Sequence, residues 1–209
     1  MRIAATLCGV LIGLSLLAGQ TQLGVYVQNQ RVGSAKVTET KGADGGIIHQ
    51  IEFQMKAGTG EVSIHQIAEY GPDGTPRRKY TKQTSATGVE VRVVTFRGTT
   101  ATLIIEKGGS TNTRSFPAPS GANIRARSEL WFRTIQPKVG ETDTYYRFDV
   151  NSAAWQKVTV KYEGDQALQS GGRELSCRVV SVNGMKSFLD AEGLPVRIEV
   201  GEMVMVREG

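Results

Sequence analysis

Apolar and polar residues alternate by two along most of this chain, as in QIEFQMKA and EVSIHQIAEY, which is the period of a half-buried strand. Candidate strands run over Gly24–Gln28, Val32–Lys41, Gly46–Ala57, Glu61–Tyr70, Thr75–Thr84, Val89–Phe96 and Ala101–Lys107 in the first part of the sequence. A second group covers Thr142–Val150, Trp155–Glu163, Glu174–Val182, Met185–Leu189, Leu194–Val200 and Met203–Arg207. Short clusters of Gly, Asp, Asn and Pro separate them, the punctuation of hairpins. With so few helical segments available for crossovers, the sheet must be mostly antiparallel.

One hairpin can be tested for register. If the turn after Ala57 is centred on Gly58 and Thr59, Phe53 faces Ile64 and Met55 faces Val62, while Lys56 faces Glu61 and Glu52 faces His65. Apolar residues then meet apolar residues on one face, and polar or charged partners meet on the other. A slip by one residue would mix the two faces. In this register His49 and His65, the centres of two IHQI-like stretches, point to opposite sides of the sheet. No zinc site is therefore expected from them, and Cys177 is the one cysteine outside the amino-terminal segment.

A helical period fits one segment, Ala122–Ile135 (ANIRARSELWFRTI), where Ile124, Leu130, Trp131 and Ile135 could form one stripe ahead of Pro137. The pattern thus predicts a mainly β protein: an antiparallel curved sheet or half-barrel of about 11–13 strands, with one short helix packed at its concave side or end.

The amino terminus, MRIAATLCGVLIGLSLLAGQ, has a basic residue, an apolar run and small residues after it, the form of a secretory signal peptide. The expected organisation is a leader over residues 1–19 and a single β domain over 20–209, exported to the periplasm or beyond the cell, with no membrane-spanning segment in the mature chain. Two similar turns, EYGPDGTPRRKYT (69–81) and FLDAEGLPVRIEV (188–200), together with KVTETK (36–41) and KVTVKY (157–162), fit two related meanders over about 24–116 and 129–209. Independent recurrence of a favourable turn explains them equally well. In both turns an acidic residue precedes a Gly that supplies the positive φ of a tight hairpin.

Composition adds little. The net charge of +5 at pH 7 favours anionic surroundings only weakly, and no nucleic-acid-binding module accompanies it. Cys177 shares a strand face with Leu175 and Val179 and reads as a small buried hydrophobe. No nucleophile elbow, metalloprotease helix, phosphate-binding loop or dinucleotide fingerprint is present, so neither a catalytic constellation nor a cofactor is expected.

VYVQNQRVGSAKV with Tyr26, Val27 and Gly33, ELWFRTIQPKVGET, and the closing hairpin FLDAEGLPVRIEV together carry a resemblance. They resemble a family of exported bacterial β-proteins of unknown function that is similar to the periplasmic lipoprotein carriers, whose half-barrel curves around a helix. Phe188 stands where a Trp is commonest. The resemblance implies a fold and an envelope address, and no catalytic residue.

Two non-catalytic functions remain. In the first, Phe53, Met55, Ile64, Phe148, Val158, Val160, Tyr162 and Ile198, with Val196 beside them, line a curved sheet that holds a lipid or other apolar small molecule. The same residues would equally serve as a filled core. In the second, Arg77, Arg78, Lys79 and Lys82 of RRKYTK form a basic edge strand that docks an anionic envelope component. Charge that merely keeps an edge strand soluble is the alternative.

Overall fold

The computed structural model describes residues 19–58, 60–124, 136–191 and 193–208. Fourteen strands make one antiparallel sheet: β1 (Gly19–Val27), β2 (Gln30–Lys41), β3 (Ile47–Ala57), β4 (Gly60–Tyr70), β5 (Pro76–Ser85), β6 (Gly88–Arg97), β7 (Thr100–Lys107), β8 (Ser110–Pro117), β9 (Thr142–Asp149), β10 (Ala154–Ser170), β11 (Arg173–Val182), β12 (Met185–Leu189), β13 (Pro195–Val200) and β14 (Met203–Arg207). Every strand read from the alternation is present. β8 is the addition, and it carries no alternation because nearly all of STNTRSFP is exposed. The helix expected over Ala122–Ile135 falls, beyond Ile124, outside the described residues, and Ala122–Ile124 are irregular.

The spatial order is β8-β7-β6-β5-β4-β3-β2-β1-β14-β13-β12-β11-β10-β9, so consecutive strands are neighbours throughout except β8 and β9, which form the two edges, and the one distant pairing is β1 with β14. The β3–β4 register agrees with the sequence reading: Phe53 faces Ile64, Met55 faces Val62, Lys56 faces Glu61 and Glu52 faces His65.

Pairing ties the core residues into rows across the inner face. One row runs Tyr162, Val180, Ser187, Ile198, Met205, Val25, Gly33, Met55, Val62, through eight neighbouring ladders. Seven of these nine residues, all but Ser187 and Gly33, belong to one apolar cluster with Phe53, Ile64, Tyr145, Val158 and Val160, which spans the sheet order from β4 to β9. The sheet must curl to bring them together.

It curls past closure. Tyr145 pairs with Val158 and lies on the inner face, whereas Phe148 pairs with Trp155, an odd number of residues away and hence on the outer face. Phe148 and Trp155 nevertheless pack on Phe96 and Phe116. Those two residues share the inner face of β6–β8 through the row Phe96, Ala101, Phe116. The inner surface of one end of the sheet therefore covers the outer surface of the other, and the second apolar cluster fills that overlap. No ladder joins β8 to β9; side chains make the seam, including a bond from Trp155 Nε1 to the Phe116 carbonyl (3.0 Å) and one from Arg92 Nη1 to the Val150 carbonyl (2.9 Å).

The repeated turns share their hydrogen bonding. Gly71 N donates to Thr75 O and Gly74 N to Gly71 O; Asp190 N donates to Leu194 O and Gly193 N to Asp190 O. A third copy joins β2 to β3, where Gly42 N donates to Gly46 O and Gly45 N to Gly42 O. Gly45, Gly74 and Gly193 have φ of 81°, 79° and 80°, conformations that glycine adopts without a Cβ penalty. All three turns lie on one rim of the roll. The turns that follow β1, β3, β11 and β13 make the opposite rim.

Candidate functional site

The interior of the roll contains seven of the eight residues expected to line an apolar site. Phe53, Met55, Ile64, Val158, Val160, Tyr162 and Ile198 all belong to the larger cluster and are at most 7% exposed. Phe148 is the exception: it lies in the seam, on the far side of β9 from Tyr145, because the edge strand buries both of its faces. Val196, which joins a separate outer cluster with Cys177, Val179 and Phe188, is displaced by the irregular pairing between Phe188 and Leu189. Tyr162 places its ring in the interior and its hydroxyl at the margin, donating to Asp165 Oδ1 (2.8 Å); burial, with Asp165 adding to it, pushes the phenol above its ordinary pKa.

The methionines were not singled out as a group from the sequence, yet Met55, Met185, Met203 and Met205 all belong to this interior cluster. Three of them, Met55, Met185 and Met203, sit near strand ends on the rim formed by the turns after β1, β3, β11 and β13. Val27, Val32 and Val200 are only partly buried and pack against the cluster beside them. Unbranched thioethers adapt their shape to irregular contents more readily than branched side chains do.

Toward the other rim the inner face turns polar. The row Glu39, His49, Ala68, Lys79, Val94, Leu103 brings charged groups inside. His49 Nδ1 lies 3.5 Å from Glu39 Oε2, with both side chains almost fully buried, and the His49 ring meets Tyr70 edge-on at 5.8 Å. In the next row Gln66 Nε2 donates to Thr81 Oγ1 (3.3 Å). Arg147 enters the interior from β9, two residues beyond Tyr145 on the same face.

The proposed basic edge is corrected by the topology, because β5 lies between β4 and β6 while the edges are β8 and β9. Its four cations also separate. Arg77 pairs with Asp44, and Arg78 Nη1 pairs with Glu69 Oε1 (3.1 Å) while lying over the Tyr80 ring. Lys79 faces inward, only 3% exposed, with its ammonium 5.9 Å from the centre of the Phe96 ring. Lys82 is exposed on the same outer face as Arg78, where it borders a groove of about 280 Å³ with Glu52, Gln54, Ser63, His65 and Thr84. The alternation was hidden because the inward positions of β5 are themselves polar.

His49 and His65 point to opposite faces, as the register implies, so they form no common metal site. Cys177 is fully buried in the outer cluster, and desolvation, reinforced by Asp190, pushes its thiol up from the ordinary range. Arg92 joins Glu90 and the Val150 carbonyl at the seam.

No protein-family description and no curated protein matches the chain. The fold is similar to that in the crystal structure of a β-barrel-like protein of the domain of unknown function DUF1849 from Brucella abortus, with a TM-score of 0.60 over 90% of this chain and 94% of that one. At 11% identity that likeness establishes a shared architecture: a curled, mainly antiparallel β-sheet of a kind found in a bacterial protein of unknown function.

Proposed function

We propose that this is an exported, non-catalytic binding protein that holds an apolar chain, such as a lipid acyl group, inside its rolled sheet. The observation that carries the reading is the methionine grouping. Met55, Met185, Met203 and Met205 share one interior cluster, and three of them gather at one rim beside partly buried valines. An interior needed only as a rigid core is better served by branched aliphatics, whose rotamers are better defined. Thioethers at the rim can move aside for a ligand and close again without it. The leader-like pattern of the amino-terminal sequence, a basic residue, an apolar run and then small residues, supports export.

The basic-surface reading receives less support, since Arg77 and Arg78 are neutralised by carboxylates and Lys79 is inside. The deciding experiment is displacement of a fluorescent fatty-acid probe from delipidated protein. Saturable uptake, weakened at least tenfold by Met185→Asp with the fold retained by circular dichroism, is expected. Delipidated protein that takes up no probe, and native protein that copurifies with no lipid, would overturn the reading. Export is checked separately by mass spectrometry of the protein from fractionated cells, with the mature terminus expected close to Gly19.

A further inference from the structure

The groove beside Lys82 lies outside the roll, on the face of the sheet away from the apolar interior. Glu52, His65 and Lys82 face one another in one cross-strand row, and Gln54, Ser63 and Thr84 in the next. Phe53 and Ile64 also border it, but neighbours along a strand point to opposite faces and their side chains belong to the interior cluster, so they contribute backbone alone. β4 is thus the floor, and the side chains of β3 and β5 are the walls. Among the described residues, no ion pair joins Glu52 to Lys82 or to Lys36, its partner on β2, and the one hydrogen bond that reaches the group runs from Gln50 Nε2 to Glu52 Oε1 (2.9 Å). That bond steadies the carboxylate and leaves its other oxygen open. His65 Nε2 is shielded from water and also has no partner. The ring meets Tyr80 edge-on at 6.0 Å, and since χ2 of histidine is roughly two-fold, half a turn exchanges Nε2 with Cε1 and lets a group in the groove supply the missing partner. A carboxylate therefore stands on one wall and an ammonium on the other, on strands about 10 Å apart, with unpaired hydroxyls beside them.

We infer that this groove binds a small zwitterion, an α-amino acid or a dipeptide, whose ammonium meets Glu52 and whose carboxylate meets Lys82 and His65. Charge chooses the class. A simple anion is repelled by Glu52 and a simple cation by Lys82, whereas a zwitterion satisfies both walls at once through charge-assisted hydrogen bonds. A sugar could use the hydroxyls and the Gln54 amide, but it would leave both charges uncompensated and would find no phenyl, phenol or indole ring on the groove's face to stack against. At about 280 Å³ the groove has room for such a solute with its side chain over Ser63 and Thr84. The site is independent of the apolar ligand, because the sheet itself separates the two.

The test is a heteronuclear NMR titration of the protein with serine, alanylserine, N-acetylserine, serinamide and glucose. Serine or alanylserine should shift the amides around Glu52, His65 and Lys82 on β3, β4 and β5 in a saturable way. N-acetylserine, which lacks the ammonium, and serinamide, which lacks the carboxylate, should bind at least tenfold more weakly. Glu52→Gln and Lys82→Met should each weaken serine binding at least tenfold. Both residues are exposed, so the Tm of either variant should stay within about 2 °C of the parent value. In Glu52→Gln, serine and N-acetylserine should bind alike, because the group that distinguishes them has gone. Equal binding of serine and N-acetylserine by the wild-type protein, or an equal response to glucose, would overturn the ligand class. Shifts centred on other strands, or serine binding that neither substitution weakens, would overturn the site. No saturable shift from either zwitterion up to about 10 mM would overturn the inference outright and leave the fatty-acid result untouched.

Discussion

Gly33 shows how tightly a single position can be set by its neighbours. It sits in the long inner row between Val25 and Met55, and a Cβ there would run into the Gln54 carbonyl oxygen and the Met55 Cα. β1 changes register against β2 beside it, between Val25 and Tyr26. Replacing Gly33 by Ala should cost about 1–3 kcal/mol by forcing the two backbones apart. Urea unfolding is the measurement, and a midpoint equal to that of the parent protein would show that the contact relaxes freely. The sequence displayed the glycine as part of a family-like pattern without displaying this reason for it. Lys79 was legible only as charge. Its inward direction follows from pairing with Ala68 and Val94, and such pairing is a long-range fact that no local pattern contains.

Hairpins were the most legible elements because their evidence is local. Alternation located the strands and the two-residue turns located the reversals; opposite-charge partners then fixed the β3–β4 register as observed. β8 escaped because a strand with two exposed faces has nothing apolar to alternate, and its polar residues are what blunts an open edge. β5 was misplaced to the edge for a related reason, since positions that face a polar part of the interior look like positions that face water. The seam depends on Phe148, which touches Phe96, Phe116 and Trp155 at ring separations of 6.5, 5.3 and 5.5 Å. Phe148→Ala should therefore destabilise the protein by about 3–5 kcal/mol. It should also unpin β8 from β10, so amide exchange in β8 should quicken more than exchange in β1 or β2. Uniform acceleration across the sheet would argue that the overlap contributes no local stability of its own.

At the scale of the whole molecule, curvature was foreseen but the overlap was not. Only the odd separation of Phe148 from Tyr145, combined with the partners of each, reveals that β9 is covered on both faces, together with the start of β10 at Trp155. The methionine-rich rim and the apolar rows follow one another along this enclosed space, which is why the proposed ligand belongs to the roll and to no single element. None of that arrangement depends on a bond between β8 and β9.

The strand order carries a further consequence for how the chain could be written. From β9 to β14 and then from β1 to β8, every strand is beside the one that follows it, so the sheet is an uninterrupted meander of a chain read from a different starting point. Leu23 pairs with Arg207, and Glu208 N donates to the Gln22 carbonyl, which places the two ends of the sheet's sequence side by side. A circular permutant that links residue 208 to residue 19 through a few glycines and begins at Gly121 would keep every ladder while turning its one distant pairing into a hairpin. It should fold faster than the parent chain at similar stability, since rates fall as paired residues lie further apart in sequence. Stopped-flow refolding of the two connectivities would measure how much of the folding barrier is the wait for β14 to find β1.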